Sequence, residues 1–178
     1  MLEINPTEGA STWGGCCNTL KKRGVERVDL IVSLTSLVGL EEEVFTRVFP
    51  GSLFQKCIVH KMRAVLNKIR PKEKEEVASD LKDVFDNFSE DDKILNAKEK
   101  LERFISKWKA KYPSIGNYFN EGIVEYYFTY IKFPCNVRRM IYTTNSIENL
   151  NKKIRKATKN KQSFEKPSRL LDFLFVIT

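Results

Sequence analysis

The stretch RRMIYTTNSIENLNKKIRKATKNKQSF, from Arg138 to Phe164, contains the strongest pattern in this sequence. Thr144 or Asn145 can cap a helix that runs to about Lys159, because their side-chain oxygens accept hydrogen bonds from the first free amides of a helix. Isoleucine and leucine recur at helical spacing and predict its buried face. Ile147, Leu150 and Ile154 form that face, whereas Glu148, Asn151, Lys152, Arg155 and Lys159 fall on the other.

Charge is distributed unevenly along the chain, which has 178 residues and a net charge of +8. Nine basic residues and a single acid, Glu148, lie between Lys132 and Lys161, whereas six basic and eleven acidic residues lie between Lys72 and Glu102. This separation indicates a polyanionic partner for one face of the protein. A solvated basic surface explains the same run of charge, and both interpretations stay open on composition alone.

Composition predicts a folded protein, since 42% of the residues are hydrophobic. No apolar run approaches the ~20 residues that a membrane span requires, and the start MLEINPTEGAS has no signal-peptide pattern. Cys16 and Cys17 are adjacent, which suits a disulfide framework poorly. We therefore expect no membrane association and a cytoplasmic protein.

Toward the amino terminus, the pattern predicts a helix, a short buried strand, a second helix, and a strand that runs into a third helix near Cys57. The first four of these elements are predicted over residues Ala10–Arg23, Arg27–Val32, Glu41–Val48 and Leu53–Lys56. The predicted organisation is a small amount of strand near the amino terminus, followed mostly by helix.

The middle of the chain is predicted to be helical. Pro71 suits the first turn of one helix. Ser89 and Asp92 resemble a capping box ahead of a second helix, which ends before Pro113. The aromatic segment from Tyr126 to Phe133 is ambiguous between helix and strand. The predicted apolar stripes are Val77, Leu81 and Val84 in the first helix, and Ile94, Ala97, Leu101, Phe104 and Trp108 in the second.

Two features carry possible chemistry. Glu148 is either a surface carboxylate that pairs with Lys152 four residues on, or a metal ligand beside a phosphate-binding face. Cys57 and His60 form a Cys-x-x-His pair, which is too short to be a zinc site alone because structural zinc takes four ligands. Residue chemistry alone favours a buried cysteine and a hydrogen-bonded histidine at a strand-to-helix junction.

Four segments, in order, resemble the Mutator-type transposase family of bacterial insertion sequences. LKKRGVERVDLIVS is similar to the family's lead into its central strand, and FPGSLFQKCIVHKMRAVL resembles the segment in which Cys-x-x-His follows Phe-Pro. KWKAKYPSIGNYF matches a Lys-Trp…Tyr-Pro element. The Thr-Thr-Asn-x-Ile-Glu block within Arg138–Phe164 is the most specific match. These segments span residues 20–33, 49–66, 107–119 and 138–164.

The resemblance implies a ribonuclease-H-like catalytic fold with an Asp, Asp, Glu triad that binds two Mg²⁺ (or Mn²⁺) ions. Glu148 corresponds to the catalytic, metal-binding glutamate, and Cys57 and His60 to the family's characteristic pair. The implied fold class is an α/β fragment dominated by helix, with a partial ribonuclease-H-like core and an all-helical insertion. The implied domains are a partial core (1–60), the helical insertion (61–130), and the carboxyl-terminal part of the core with the Glu-bearing basic helix (131–178).

This sequence departs from the family pattern at two of the three acids. The first aspartate belongs to a segment upstream of the resemblance. The second is expected after the predicted strand, in an Asp-Gly-Leu or Asp-x-Leu-x-Gly context. Residues 33–40 read SLTSLVGL, whose Gly39-Leu40 ending matches, but they include no aspartate, and Asp29 lies too early. The expectation is a truncated transposase chain that is inactive alone.

The implied function is DNA strand cleavage and transfer at insertion-sequence ends. DNA is the expected partner, together with a second copy of the chain or an intact transposase. A non-catalytic DNA-binding or dimerising remnant is the alternative, and an unrelated basic helical protein that binds nucleic acid or the ribosome is a third. The residues expected to hold the DNA backbone are Arg138, Arg139, Lys152, Lys153, Arg155, Lys156, Lys159 and Lys161.

Overall fold

The computed structural model describes residues 9–33, 40–119, 121–142, 145–159 and 166–177, most of them helical. The predicted helix-dominated α/β class is confirmed. In chain order the elements are α1 (Ala10–Lys22), β1 (Leu30–Ser33), α2 (Leu40–Val48), β2 (Leu53–Lys56), α3 (Ile58–Leu66), α4 (Lys74–Phe85), α5 (Ile94–Lys109), α6 (Glu121–Val124), α7 (Cys135–Ile141), α8 (Asn145–Thr158) and α9 (Pro167–Ile177).

The two strands form a small parallel sheet. Leu30 pairs with Leu53 at one end, and Ser33 pairs with Lys56 at the other. β2 has its predicted bounds, but β1 begins three residues later than the predicted strand. Arg27 and Asp29 are exposed, so the paired strand is confined to the apolar run and the serine that follows it. Parallel pairing brings the carboxyl ends of both strands to one edge.

Contacts divide the chain into two compact units that each draw on distant sequence. The first unit comprises Met1–Val28, Leu37–Ser52 and Asn145–Thr178. In it α1 packs on α2, with the rings of Trp13 and Phe45 6.0 Å apart and Cys17 and Phe49 buried. The Lys21 ammonium donates a hydrogen bond to the Val48 carbonyl at 3.1 Å. α8 packs against α9.

The second unit comprises Asp29–Ser36 and Leu53–Thr144, and it contains one hydrophobic core. The stripes predicted for α4 and α5 supply much of this core, since Val77, Leu81 and Val84 are buried against Leu101 and its neighbours. Salt bridges fix the antiparallel register of these two helices, because Lys107 pairs with Glu76 and Asp80 while Lys100 pairs with Asp83.

Two local predictions need correction. The Ser89–Asp92 hydrogen bond exists at 2.8 Å, but it closes a turn ahead of α5, whose N-cap is Lys93, so the capping-box interpretation is wrong. The ambiguous aromatic segment forms short 3₁₀ turns, Glu125–Tyr127 and Thr129–Lys132, rather than a long helix or a strand. The Gln55 side chain stabilises these turns by accepting a hydrogen bond from the Tyr130 amide at 2.8 Å and donating one to the Tyr127 carbonyl at 3.2 Å.

Among the described helices, none is both long and apolar enough to cross a membrane. The domain boundaries predicted after residues 60 and 130 stay a prediction.

Candidate functional site

Helix α8 has two chemically distinct faces. Leu150, Ile154 and Ala157 are half-buried, and they follow one another at helical spacing. The basic residues of the helix, Lys152, Lys153, Arg155 and Lys156, are all exposed, as is Lys159 directly after it. The predicted amphipathic helix is confirmed, and its basic face is open to a polyanion.

Glu148 lies in the first turn of α8 and is half-buried. At 100° per residue it shares a strip of the helix surface with residues four, seven and eleven positions later, which are Lys152, Arg155 and Lys159. The partial positive charge of a helix N-terminus favours a carboxylate in this turn. The structure therefore places the candidate catalytic acid on the same face as Lys152, Arg155 and Lys159.

Arg138 differs from the other basic residues grouped with it. Its side chain is only 3% exposed. Its guanidinium donates to the carbonyls of Phe133 at 2.8 Å and Asn87 at 3.2 Å, and also to the Ser89 carbonyl. A side chain held in this way ties α7 to the loop after α4, and we assign it a structural role. No local pattern predicts this burial, because neighbouring arginines in a basic run are typical of a surface.

Arg139, the next residue, is exposed, and its guanidinium carbon lies 5.4 Å from the centre of the Phe88 ring. The face of the Arg139 guanidinium that points away from the Phe88 ring is open to a ligand. Lys161, the last of the predicted DNA-binding residues, lies outside the described residues.

Cys57 and His60 lie together at the predicted strand-to-helix turn. Cys57 follows β2 directly and is the N-cap residue of α3, and it is buried. The His60 Nδ1 atom lies 3.2 Å from the Cys57 Sγ atom. The predicted position at the junction is confirmed. The contact is a thiol–imidazole hydrogen bond within one helical turn.

The edge formed by the carboxyl ends of β1 and β2 is where the family's second acid is expected. Residues 34–39, which follow β1, lie outside the described residues. Asp29 precedes β1, and its carbonyl accepts a hydrogen bond from the Leu53 amide at 2.9 Å. The strand between Asp29 and Ser33 is about 13 Å long at ~3.3 Å per residue, so Asp29 stands at the opposite edge.

The metal that the family resemblance implies can be tested against the side chains present. In the described ranges, no group of three or more His, Cys, Asp and Glu side chains is arranged to hold a metal ion. Glu148 by itself is one carboxylate, whereas magnesium in proteins is held by carboxylates together with other oxygen ligands. The described residues therefore do not fit a magnesium site on their own.

Sequence reasoning missed the buried polar side chains around β2. Gln55 is 1% exposed and Lys56 is 7% exposed, although both are polar. The available signal was their position in the strand LFQK, since a buried strand rarely carries polar residues unless they have partners.

Comparison with known proteins agrees with the resemblance. The family model described as "Transposase, Mutator family" matches residues 1–178. A probable insertion-sequence transposase of Corynebacterium diphtheriae is 35% identical over 99% of this chain and 50% of its own length. The ISRM3 transposase of Rhizobium meliloti is 34% identical over 99% of this chain and 42% of its own length.

The match extends to a relative with a more divergent sequence. The IS905 transposase of Lactococcus lactis is 27% identical over 98% of this chain and 43% of its own length. All three of these relatives are named as transposases of insertion-sequence elements. This chain belongs to the Mutator family of transposases, and it spans about half the length of the curated relatives that it matches.

Proposed function

We propose that this chain contributes the third acid and a DNA-holding helix to a Mutator-type transposase. The reaction of the complete protein would be cleavage and transfer of DNA strands at insertion-sequence ends. The observation that carries this proposal is α8, in which Glu148 shares one face with Lys152 and Arg155. A duplex bound along that face would have its phosphates beside the carboxylate.

The basic face of α8 would act through its charge. Exposed lysine and arginine side chains release condensed counterions when they neutralise DNA phosphates, so binding weakens as salt rises. Arg139, in the second unit, is a separate candidate for a phosphate contact, whereas the buried Arg138 is not one. Such contacts position DNA and carry no base-sequence information.

The proposed core is ribonuclease-H-like, and the parallel pair β1–β2 and the family resemblance support it. In a core of this kind the three acids converge from distant sequence, and two Mg²⁺ or Mn²⁺ ions activate the attacking oxygen and stabilise the leaving oxygen. Because the described residues do not fit such a metal pair, we propose no catalytic step for this chain alone. A second copy or an intact transposase is the proposed protein partner.

A salt titration of DNA binding tests the role of α8. We expect a smaller salt dependence when glutamine replaces Lys152, Lys153, Arg155 and Lys156 together. The slope of log K against log salt concentration should become less negative by up to about 3.6, at ~0.9 per phosphate contact. The matched control removes four exposed lysines of the second unit, Lys68, Lys74, Lys82 and Lys109. Equal slopes in the two variants would mean that α8 has no specific part in DNA binding.

A cleavage assay tests the catalytic expectation. The chain alone, supplied with Mg²⁺ or Mn²⁺ and DNA that carries the element's ends, should neither cut nor join strands. Activity should require the upstream half of a relative together with an acid restored at position 34 or 35, and Glu148→Gln should abolish it. Cleavage by the unmodified chain that Glu148→Gln abolishes would refute the proposal.

The second candidate function is a non-catalytic product that binds DNA and modulates an intact transposase. The lack of an aspartate in residues 33–40 favours it. It predicts that the restored acid gives no activity while DNA binding stays intact.

A further inference from the structure

Asn149 and Asn151 lie within α8, and both side chains are exposed. Asparagine is among the poorer helix formers, because its amide competes with the backbone for hydrogen bonds. In the described part of the chain, no residue forms a hydrogen bond with either side chain. Thr158 differs, since its hydroxyl donates to the Ile154 carbonyl at 2.9 Å. Residues that oppose the local structure without an offsetting contact are typical of functional positions.

The two asparagines differ in their angular positions on α8. With about 3.6 residues per turn, Asn149 lies about 60° from Lys152 around the helix axis, and Asn151 lies about 100° from it in the other direction. Lys152 stands near the middle of the polar face, opposite the half-buried Leu150 and Ile154. Asn149 therefore lies on the inner part of the polar face, whereas Asn151 lies at its margin.

Exposed basic side chains flank this inner part on both sides. Lys153 lies about 100° from Lys152 in one direction, and Arg155 lies about 60° from it in the other. A helix that rests on a single row of phosphates needs cations along a narrow strip, but these cations span an arc of about 160°. The major groove of B-DNA is about 12 Å wide and admits an α-helix between the phosphates of its two strands. The cations of α8 suit that arrangement, because they can face both strands at once.

We propose that α8 lies in the major groove of DNA and that Asn149 reads an adenine there through its side-chain amide. Asparagine matches adenine because its amide accepts a hydrogen bond from the N6 amino group and donates one to N7. Phosphate contacts from Lys153 and Arg155 hold the helix in the groove, but such contacts do not distinguish sequences. Glu148 lies on the same side as Arg155, so its carboxylate faces the phosphates of one strand. The inference rests on the proposed DNA-holding role of α8, to which it adds a residue that sets base preference.

Selection from a pool of short duplexes with randomised base pairs tests the base contact. The full, unmodified chain should select adenine at one position, where any other base lowers the affinity about ten-fold, as expected for a bidentate pair. Asn149→Ala should bind all four bases at that position equally. Alanine is the better helix former and the site is exposed, so this variant should fold.

Asn151→Ala is the matched control, since it makes the same chemical change at the margin of the polar face. It should leave the adenine preference intact. The inference is overturned if the unmodified chain selects no base, or if Asn149→Ala keeps the preference. It is also overturned if Asn151→Ala removes the preference and Asn149→Ala does not.

Base analogues determine which groove is read. 7-Deazaadenine lacks the N7 acceptor of the major groove, whereas 3-deazaadenine lacks the N3 acceptor of the minor groove. At the selected position, 7-deazaadenine should weaken binding of the unmodified chain and have no effect on binding of Asn149→Ala. 3-Deazaadenine should affect neither protein. Weakening by 3-deazaadenine alone would place the contact in the minor groove and overturn the assignment.

The salt dependence separates this inference from the proposed function. Asn149→Ala removes no charge, so its slope of log K against log salt concentration should equal that of the unmodified chain. The four-residue glutamine variant of α8 should show a smaller slope. If that slope falls but Asn149→Ala keeps the base preference, the base contact fails and the phosphate-holding role of α8 stands. If the slope does not fall, the phosphate-holding role fails, and only a base preference that Asn149→Ala removes would keep the major-groove contact.

Discussion

Replacing Arg138 by methionine should destabilise the protein without acting on DNA directly. The side chain is 3% exposed and donates to the carbonyls of Phe133, Asn87 and Ser89. Methionine keeps most of the volume but offers no donor, so these acceptors lose their charged partner. A buried acceptor left unpaired costs about 1–3 kcal/mol, and removing a buried charge also removes its desolvation cost. We expect a net loss of about 3–5 kcal/mol in the free energy of unfolding.

Urea denaturation followed by circular dichroism measures this loss, and Arg139→Met is the matched control. Arg139 is exposed and contacts one face of the Phe88 ring, so its replacement should cost about 0.5–1 kcal/mol. Arg139→Met should also flatten the salt dependence of DNA binding, whereas folded Arg138→Met should not. The reasoning is refuted if Arg138→Met unfolds within ~0.5 kcal/mol of the unmodified chain, because surface replacements typically stay within that range.

Three further outcomes are expected. Asp80→Asn should lose about 1–2 kcal/mol at neutral pH, because the Asp80 carboxylate accepts hydrogen bonds from Lys107 at 2.7 Å and the Trp108 indole at 2.8 Å. Burial raises the pKa of Asp80, but these two hydrogen bonds outweigh it and the net pKa is lowered. The stabilisation should therefore be present at neutral pH and disappear as the pH falls through that lowered pKa. The free energy of unfolding of Asp80→Asn should fall less steeply in acid than that of the unmodified chain, and an equally steep fall would contradict the prediction. Gln55→Leu should lower the urea midpoint by an amount equivalent to about 2–4 kcal/mol, since the Tyr130 amide and the Tyr127 carbonyl lose their partner; an unchanged midpoint would show that other groups satisfy them. Purified chain should hold no stoichiometric zinc, because Cys57 and His60 are only two of the four ligands that a structural site needs; zinc that is lost in Cys57→Ser would show the opposite.

Helical periodicity predicted the architecture well because most helices of this chain bury one stripe against a core. Val77 and Leu81 in α4, and Leu101 and Phe104 in α5, are buried as their spacing predicts. Strand limits were less predictable, since Arg27 and Asp29 alternate with apolar residues and extend the strand pattern beyond the paired residues. Alternation describes which face a side chain takes, but hydrogen bonding to β2 decides where the strand begins.

The candidate site was predictable only where one helix contains it. The shared face of Glu148, Lys152 and Arg155 follows from their spacing alone. The burial of Arg138 does not, because its acceptors Asn87 and Ser89 come from a loop about fifty residues earlier. The partners of Gln55 could not be predicted for the same reason, since Tyr127 and Tyr130 lie more than seventy residues later. Such contacts depend on the tertiary fold, which no local pattern encodes.

Gln55 bears on how the predicted helical insertion relates to the sheet. Its buried side-chain amide forms hydrogen bonds with the backbone of Tyr127 and Tyr130. Both tyrosines lie at the end of the predicted insertion, residues 61–130. Deleting that segment would remove both partners of Gln55 together with most of the buried side chains of the shared core. The helices after β2 therefore help to hold the strand whose end carries Lys56. Because the sheet and these helices share one core, experiments on the two strands require the full chain.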